Sequence, residues 1–214
     1  VTLMARNEEK LKTAVAELPL KDGQCHGYLV ADFSNSKNVS TSIEAAIQSG
    51  QYFHILVNNT GGPAGGKAID ATTDQFINAF ESHLICNQIL TQALVPGMKH
   101  KGYGRIVNVI STSVKQPIQG LGVSNTIRGA VANWAKTLAN ELGAARYGAL
   151  VNERVQILVE GTSKRPERMM GRTRCGKIVV FDGGERHRGQ LMDVRVTRAG
   201  SFTLYGDPAV VGME

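Results

Sequence analysis

The spacing of apolar and polar positions divides the chain into two stretches of different periodicity, the change falling between Ala144 and Val155. In the first stretch, short apolar runs alternate with longer segments whose apolar residues return every three or four positions. Val1-Thr2-Leu3-Met4-Ala5 reads as a strand. It runs into Arg6-Asn7-Glu8-Glu9, where Asn7 is placed to cap a helix whose first turn carries two carboxylates, the sign of charge that a helix N-terminus favours. Leu11, Ala14, Val15 and Leu18 then recur at helical spacing until Pro19 stops the run. Tyr28-Leu29-Val30 predicts a second strand, and Ser36 or Asn38 opens a second helix with Val39, Ile43, Ala46 and Ile47 as its buried stripe. His54-Ile55-Leu56-Val57 predicts a third strand, almost continuously apolar as a strand covered on both faces would be, and a glycine-rich loop follows it. A long helix from Thr73-Asp74 is expected to turn Phe76, Phe80, Leu84 and Ile85 inward and to end at Pro96-Gly97. Arg105 to Ile110 predicts the fourth strand. Ser124 to Leu142 predicts a last helix carrying Ala130, Val131, Trp134, Leu138 and Leu142 on one face.

Strand and helix in alternation imply an α/β fold with a parallel sheet wrapped on both faces and right-handed crossovers. In such sheets ligands sit beyond the carboxyl ends of the strands. That directs attention to Arg6, Asp32, Asn58 to Gly62, and Ser111. From Val155 onward the long helices cease. Val155-Val159, Lys177-Phe181, Leu191-Thr197 and Phe202-Gly206 are short β-rich runs separated by glycines and charges, and they predict a small antiparallel barrel.

Composition narrows the picture only a little. A hydrophobic fraction of 42% in 214 residues fits a globular protein of one large or two small domains, and a formal charge of +6 admits anionic partners without requiring them. Cys25, Cys86 and Cys175 lie far apart and are odd in number, which suits neither a disulfide framework nor a clustered metal site. A reducing, cytoplasmic setting is the expectation. No stretch approaches the roughly 18 uninterrupted apolar residues of a membrane span, so no membrane partner is expected. No charged-then-apolar leader opens the chain. The strand-like start at Val1 leads to the expectation of a missing upstream piece.

Two ordered motifs in the first stretch carry a family resemblance. Ile55-Leu56-Val57-Asn58-Asn59-Thr60-Gly61-Gly62 is similar to the Asn-Asn-Ala-Gly motif of the short-chain dehydrogenase/reductase family, and Gly104 to Ser111 resembles its catalytic-serine strand. Arg128 to Ala139 resembles the family's helix after the active-site lysine. The resemblance implies a partial Rossmann-like sheet over residues 1–145, a cofactor of the NADP or NAD type and a small carbonyl substrate. It assigns Arg6 to a 2′-phosphate, Asp32 to the adenine amine with Phe33 beside it, and Asn59 to the ribose side. Gly61 belongs either to the cofactor site or, like Asn58, to the turn of backbone at the strand end. Arg6 reads equally as a solvated loop residue. A capping role for Asp32 is weaker, because Ser36 serves as the cap.

Ser111 would polarise the carbonyl, but the family's tyrosine acid and its partner lysine are replaced. Thirteen residues beyond Ser111 stands Ser124, and four further stands Arg128. A serine hydroxyl is a far poorer acid than a phenol, whose pKa is about 10. Arg128 binds without readily exchanging a proton. The family's helix asparagine is replaced by His83, which reads as an alternative acid or base or as a structural histidine. The family's first strand and glycine-rich turn would precede Val1, and its closing strands would follow Leu142. The expected sheet therefore lacks a central strand and an edge, binds a dinucleotide poorly, and offers an edge for pairing with another copy in a homo-oligomer.

The second stretch has its own resemblance. Val159-Glu160-Gly161, Gly171-Arg172-Thr173-Arg174, Val179-Val180-Phe181, Gly189-Gln190, Thr197-Arg198-Ala199 and Leu204-Tyr205-Gly206 resemble a TRAM domain, an OB-like barrel, and most closely that of the tRNA methylthiotransferases. The resemblance implies a module over residues 152–214 that binds tRNA or other RNA. The closely spaced cysteines of that family's radical cluster are not in this chain. Independently of the name, Lys164, Arg165, Arg168, Arg172, Arg174 and Lys177 form a basic run containing only one acid, Glu167, and Arg186-His187-Arg188 forms a second cluster. The basic loop reads as an RNA contact, while Phe181, Phe202 and Tyr205 read as core filling rather than as base-stacking rings.

Overall fold

A computed structural model describes residues 1–165 and 167–209, with the helical backbone alone for residues 144–146. The last five residues of the expected 152–214 module lie outside the described residues. Contacts divide the chain into two units, Val1–Trp134 and Ala135–Glu214.

The first unit alternates strand and helix: β1 (Thr2–Ala5), α1 (Glu8–Ala16), β2 (Gly27–Val30), α2 (Ser36–Gln48), β3 (Ile55–Asn58), α3 (Thr73–Phe80), a π turn over Glu81–Ile85, α4 (Cys86–His100), β4 (Arg105–Asn108), and α5 (Gly122–Gly148), within which the unit boundary falls. Asn7 caps α1 as the sequence indicates, its Oδ1 accepting from Lys10 N at 2.9 Å. The strands form two parallel ladders, β1–β2 and β3–β4, rather than one sheet. Both ladders pack on one helical layer. Leu56, with Met4, Leu29 and Ile106, closes on Val39 and Ile43 of α2 and on Cys86, Leu90, Leu94 and Met98 of α4. The opposite face of β3–β4 is open, leaving Ile55, Val57 and Val107 53%, 57% and 48% exposed. Each strand alternates sides, so the buried Leu56 and Asn58 and the exposed Ile55 and Val57 follow from the same pleat.

Several expected details differ. The cap of α2 is Asn35, whose Oδ1 accepts from Asn38 N, while the Ser36 amide donates to Glu81 Oε1 at 3.0 Å. Ile47 and Phe80 are 37% and 40% exposed rather than inward. Ile47 lies in the last turn of α2. Phe80 immediately precedes the π turn, where the extra residue changes the helix phase and brings His83 and Cys86 to the buried face. Pro96 does not end α4, which continues to His100. The carbonyl deprived of a helical partner belongs to Gln92, an exposed residue like Pro96. The last helix begins at Gly122 and extends beyond Leu142 to Gly148.

The second unit is a closed barrel of β5 (Arg154–Thr162), β6 (Arg168–Thr173), β7 (Ile178–Asp182), β8 (Leu191–Ala199) and β9 (Thr203–Pro208), in the order β5-β6-β7-β9-β8. It is not wholly antiparallel, for β7 and β9 pair in parallel. A ring of five strands has an odd number of junctions, so strict up-and-down alternation cannot close it. The strand β6 escaped the sequence pattern because Met169 and Met170 are its only large apolar residues and arginines flank them. Ile157, Val159, Met169, Val179, Phe181, Val194, Val196 and Leu204 all point inward, none more than 1% exposed. Tyr147, Leu150 and Val151 pack against this core from the end of α5 and the turn after it.

Candidate functional site

Beyond the carboxyl ends of β3 and β4 the chain assembles a polar cluster. His83, only 2% exposed, is held on the π turn and its Nδ1 is hydrogen-bonded to the Thr60 hydroxyl. Arg128 reaches from α5 to donate from Nη1 to Val109 O at 3.0 Å and from Nη2 to Thr60 O at 3.2 Å. The guanidinium thus ties together the segments that leave the two strands. Burial first, and the Arg128 charge second, lower the His83 imidazole to about 4, so it is neutral near pH 7. Beneath the cluster, Asn58 Nδ2 donates to Asn108 Oδ1 at 2.8 Å, while Asn58 Oδ1 is buried with no partner among the described residues.

Ser111 caps a short turn over Thr112–Val114, its Oγ accepting from Ser113 N at 3.1 Å. Ser124 lies one turn before Arg128 on α5, half-buried. Among the described residues no hydrogen bond links Ser111 or Ser124 to His83 or Arg128. The structure therefore brings His83 and Arg128 together, through Thr60, and leaves the two serines outside that network.

At the end of β2, Asp32 Oδ1 accepts from both the amide and the hydroxyl of Ser34 at 2.9 Å, which holds its carboxyl below the usual range, with a smaller contribution from the Arg6 charge. Arg6 is exposed. Phe33 packs into the core and its carbonyl accepts from the Cys86 thiol at 3.4 Å, a thiol that burial pushes up to about 11. Asn59 and Gly61 are exposed beyond β3. Gly61 has no positive φ, and an added Cβ would meet nothing within 4 Å, so its backbone there does not require glycine.

A dinucleotide needs a pyrophosphate cradle as well as an adenosine end. The first turn of α1 carries Glu8 and Glu9 with Asn7 already on an amide, and α2 and α3 are capped by Asn35 and by the Thr72–Gln75 box. None of these helix starts suits a diphosphate. The described residues therefore do not fit the whole cofactor, and no hydride step follows from them. Among the described residues no group of His, Cys, Asp and Glu is arranged to hold a metal ion.

On the barrel, the basic run separates into paired and unpaired charges. Arg168 meets Asp182 at 2.8 Å and Arg172 meets Glu160 at 3.1 Å. Lys177 Nζ donates to Cys175 Sγ at 2.8 Å, the largest influence bringing that thiol down to about 7, with Thr173 adding to it. Arg188 pairs with Glu185. Lys164, Arg165 and Arg174 have no acidic partner among the described residues. Of the three aromatics, only Phe181 is wholly buried. Phe202 is 56% exposed, and Tyr205 is half-buried beneath the Arg198 guanidinium, which corrects the expectation that all three fill the core.

Residues 1–157 match the sequence profile of the short chain dehydrogenase family. The chain belongs to the short-chain dehydrogenase family. Residues 148–209 match the TRAM domain. A putative ketoacyl reductase of Streptomyces coelicolor is 29% identical over 157 residues, which cover 71% of this chain and 58% of that protein. The solved L-sorbose reductase of Gluconobacter frateurii, complexed with NADPH and L-sorbose, is 28% identical with a TM-score of 0.61, covering 66% of this chain and 54% of that one. The tRNA-2-methylthio-N(6)-dimethylallyladenosine synthase of Moorella thermoacetica is 42% identical over 71 residues, 33% of this chain and 16% of that protein. The chain thus spans about half the length of the dehydrogenase-family relatives and a small part of the synthase. Within the dehydrogenase-family part, two departures are coupled: Thr60 stands in the alanine position of the Asn-Asn-Ala-Gly motif, and its hydroxyl partners the histidine that replaces the helix asparagine. Thr60 falls within the Asn58 to Gly62 stretch to which the sequence points, with no role of its own legible there beyond its departure from the motif.

Proposed function

We propose that this chain is an RNA-binding protein, acting through its TRAM barrel on tRNA or other RNA, and that its dehydrogenase-family part does not reduce carbonyls. The two working parts are residues 1–145 and 152–214. The observation that carries the reading is the contrast between the two units. The barrel closes on a full apolar core and presents Lys164, Arg165 and Arg174 without acidic partners among the described residues, whereas Arg128, in the lysine position, is bound to two backbone carbonyls and Ser124 stands in place of the phenol. Cations with no acid beside them meet a phosphate without breaking an ion pair, a difference of about 0–1 kcal/mol per exposed pair. A cytoplasmic setting agrees with three unpaired cysteine thiols.

Binding of fluorescently labelled tRNA to the full chain tests the proposal. Lys164→Ala, Arg165→Ala and Arg174→Ala together should weaken binding roughly ten-fold or more at moderate salt. Equal affinity in the wild type and the triple variant would overturn the assignment. For the other unit, no NADPH oxidation above background is expected with ketoacyl thioesters or ketose sugars, read as constant NADPH absorbance. Turnover abolished by Ser111→Ala would contradict that half of the reading.

A further inference from the structure

The outer surface of the β8–β9 hairpin carries a feature that none of the basic loops shares. Along β8 the buried residues Val194 and Val196 fix the inward face, and regular alternation would send Arg198 inward as well. The register instead shifts between Val196, opposite Gly206, and Arg198, opposite Tyr205. The bulge at Thr197 places two successive side chains outside and lays the Arg198 guanidinium over the Tyr205 ring, 3.7 Å from its centroid. Thr197 Oγ1 donates to Tyr205 O at 3.3 Å across the bulge. In the adjoining turn Phe202 is 56% exposed. Farther along the same ladders Arg195 lies directly opposite Arg154 on β5, a cross-strand pair of like charge. Asp207 faces Arg195 from β9 and Asp193 lies two residues before it, yet neither forms an ion pair with either arginine.

We infer that this face is a stacking platform for unpaired RNA bases, with Phe202 and the planar Arg198 guanidinium, backed by Tyr205, receiving bases and Arg154 and Arg195 receiving phosphates. The inference rests on the RNA-binding reading above and assigns base contact to a surface distinct from Lys164, Arg165 and Arg174. Aromatic and guanidinium planes are the side chains on which splayed-out bases stack, and a guanidinium held over a ring is restricted in its movement before a base arrives. Duplex RNA, with its bases paired and stacked, gains nothing from such a surface.

The test uses the full chain and a short unstructured RNA carrying 2-aminopurine, whose fluorescence changes when the base stacks. The wild type is expected to change the probe's fluorescence on binding and to prefer the single strand to its duplex. Phe202→Ala and Arg198→Ala should each weaken single-strand binding by roughly ten-fold and reduce the fluorescence change. Arg198→Lys keeps the charge, so it should lose the fluorescence change more than it loses affinity. If these variants match the wild type in both readouts while the triple loop variant still loses affinity, the platform is overturned and the RNA-binding reading stands. If the wild type binds no RNA, both fall.

Discussion

Phe181→Ala should destabilise the barrel by about 3–5 kcal/mol, the range for removing a fully buried aromatic side chain. Phe181 is 0% exposed at the centre of an inward set drawn from all five strands, and its ring edge also meets His187 with centroids 6.1 Å apart. The strands enclose that space from every side, so little collapse is available to fill the cavity. Hydrogen exchange in denaturant should show β5 to β9 losing protection together. Phe202→Ala, at an exposed position, should change stability by less than about 0.5 kcal/mol. Similar effects at the two positions would mean that the barrel core is not where the structure places it.

His83 should make the first unit acid-sensitive. Its imidazole is held near 4 in the folded chain, against about 6.5 when unfolded, so at intermediate pH the unfolded chain binds the proton that the folded chain refuses. The stability is fully present above about pH 6.5 and is lost as pH falls toward 4, a difference of about 3 kcal/mol for a group so thoroughly buried. Asp32 and Glu81, whose folded carboxyls lie below their usual range, add losses only at lower pH. Urea midpoints measured across pH 4 to 7 should slope in the wild type and flatten in His83→Gln, which keeps a hydrogen-bonding group and removes the titration. An equal slope in both chains would remove His83 as the cause.

The elements most readable in the sequence were those in which periodicity and capping agree. Asn7 followed by Glu8 and Glu9 placed α1, and the run from Val39 to Ala46 placed the buried face of α2. What the sequence did not disclose depends on neighbours. A π turn cannot be seen in spacing, because one added residue leaves Phe80 on a plausible face until the phase shift turns it out. Strand β6 is short and mostly polar or small, and becomes a strand only by pairing with β5 and β7. The basic run looked uniform in sequence, and only the cross-strand placement of Glu160 and Asp182 shows which arginines are neutralised. His83 was visible as a departure from the family's asparagine, yet its partnership with Thr60, 23 positions away, required the fold.

The most direct measurement is the salt dependence of single-stranded RNA binding by the full chain. Each phosphate neutralised on a single strand contributes about −0.7 to the slope of log affinity against log salt. With Lys164, Arg165 and Arg174 each meeting one phosphate, replacing all three by alanine should make the slope shallower by about 2. A slope identical in the two chains, or an affinity insensitive to salt, would contradict the assignment of RNA binding to the unpaired cations of the barrel.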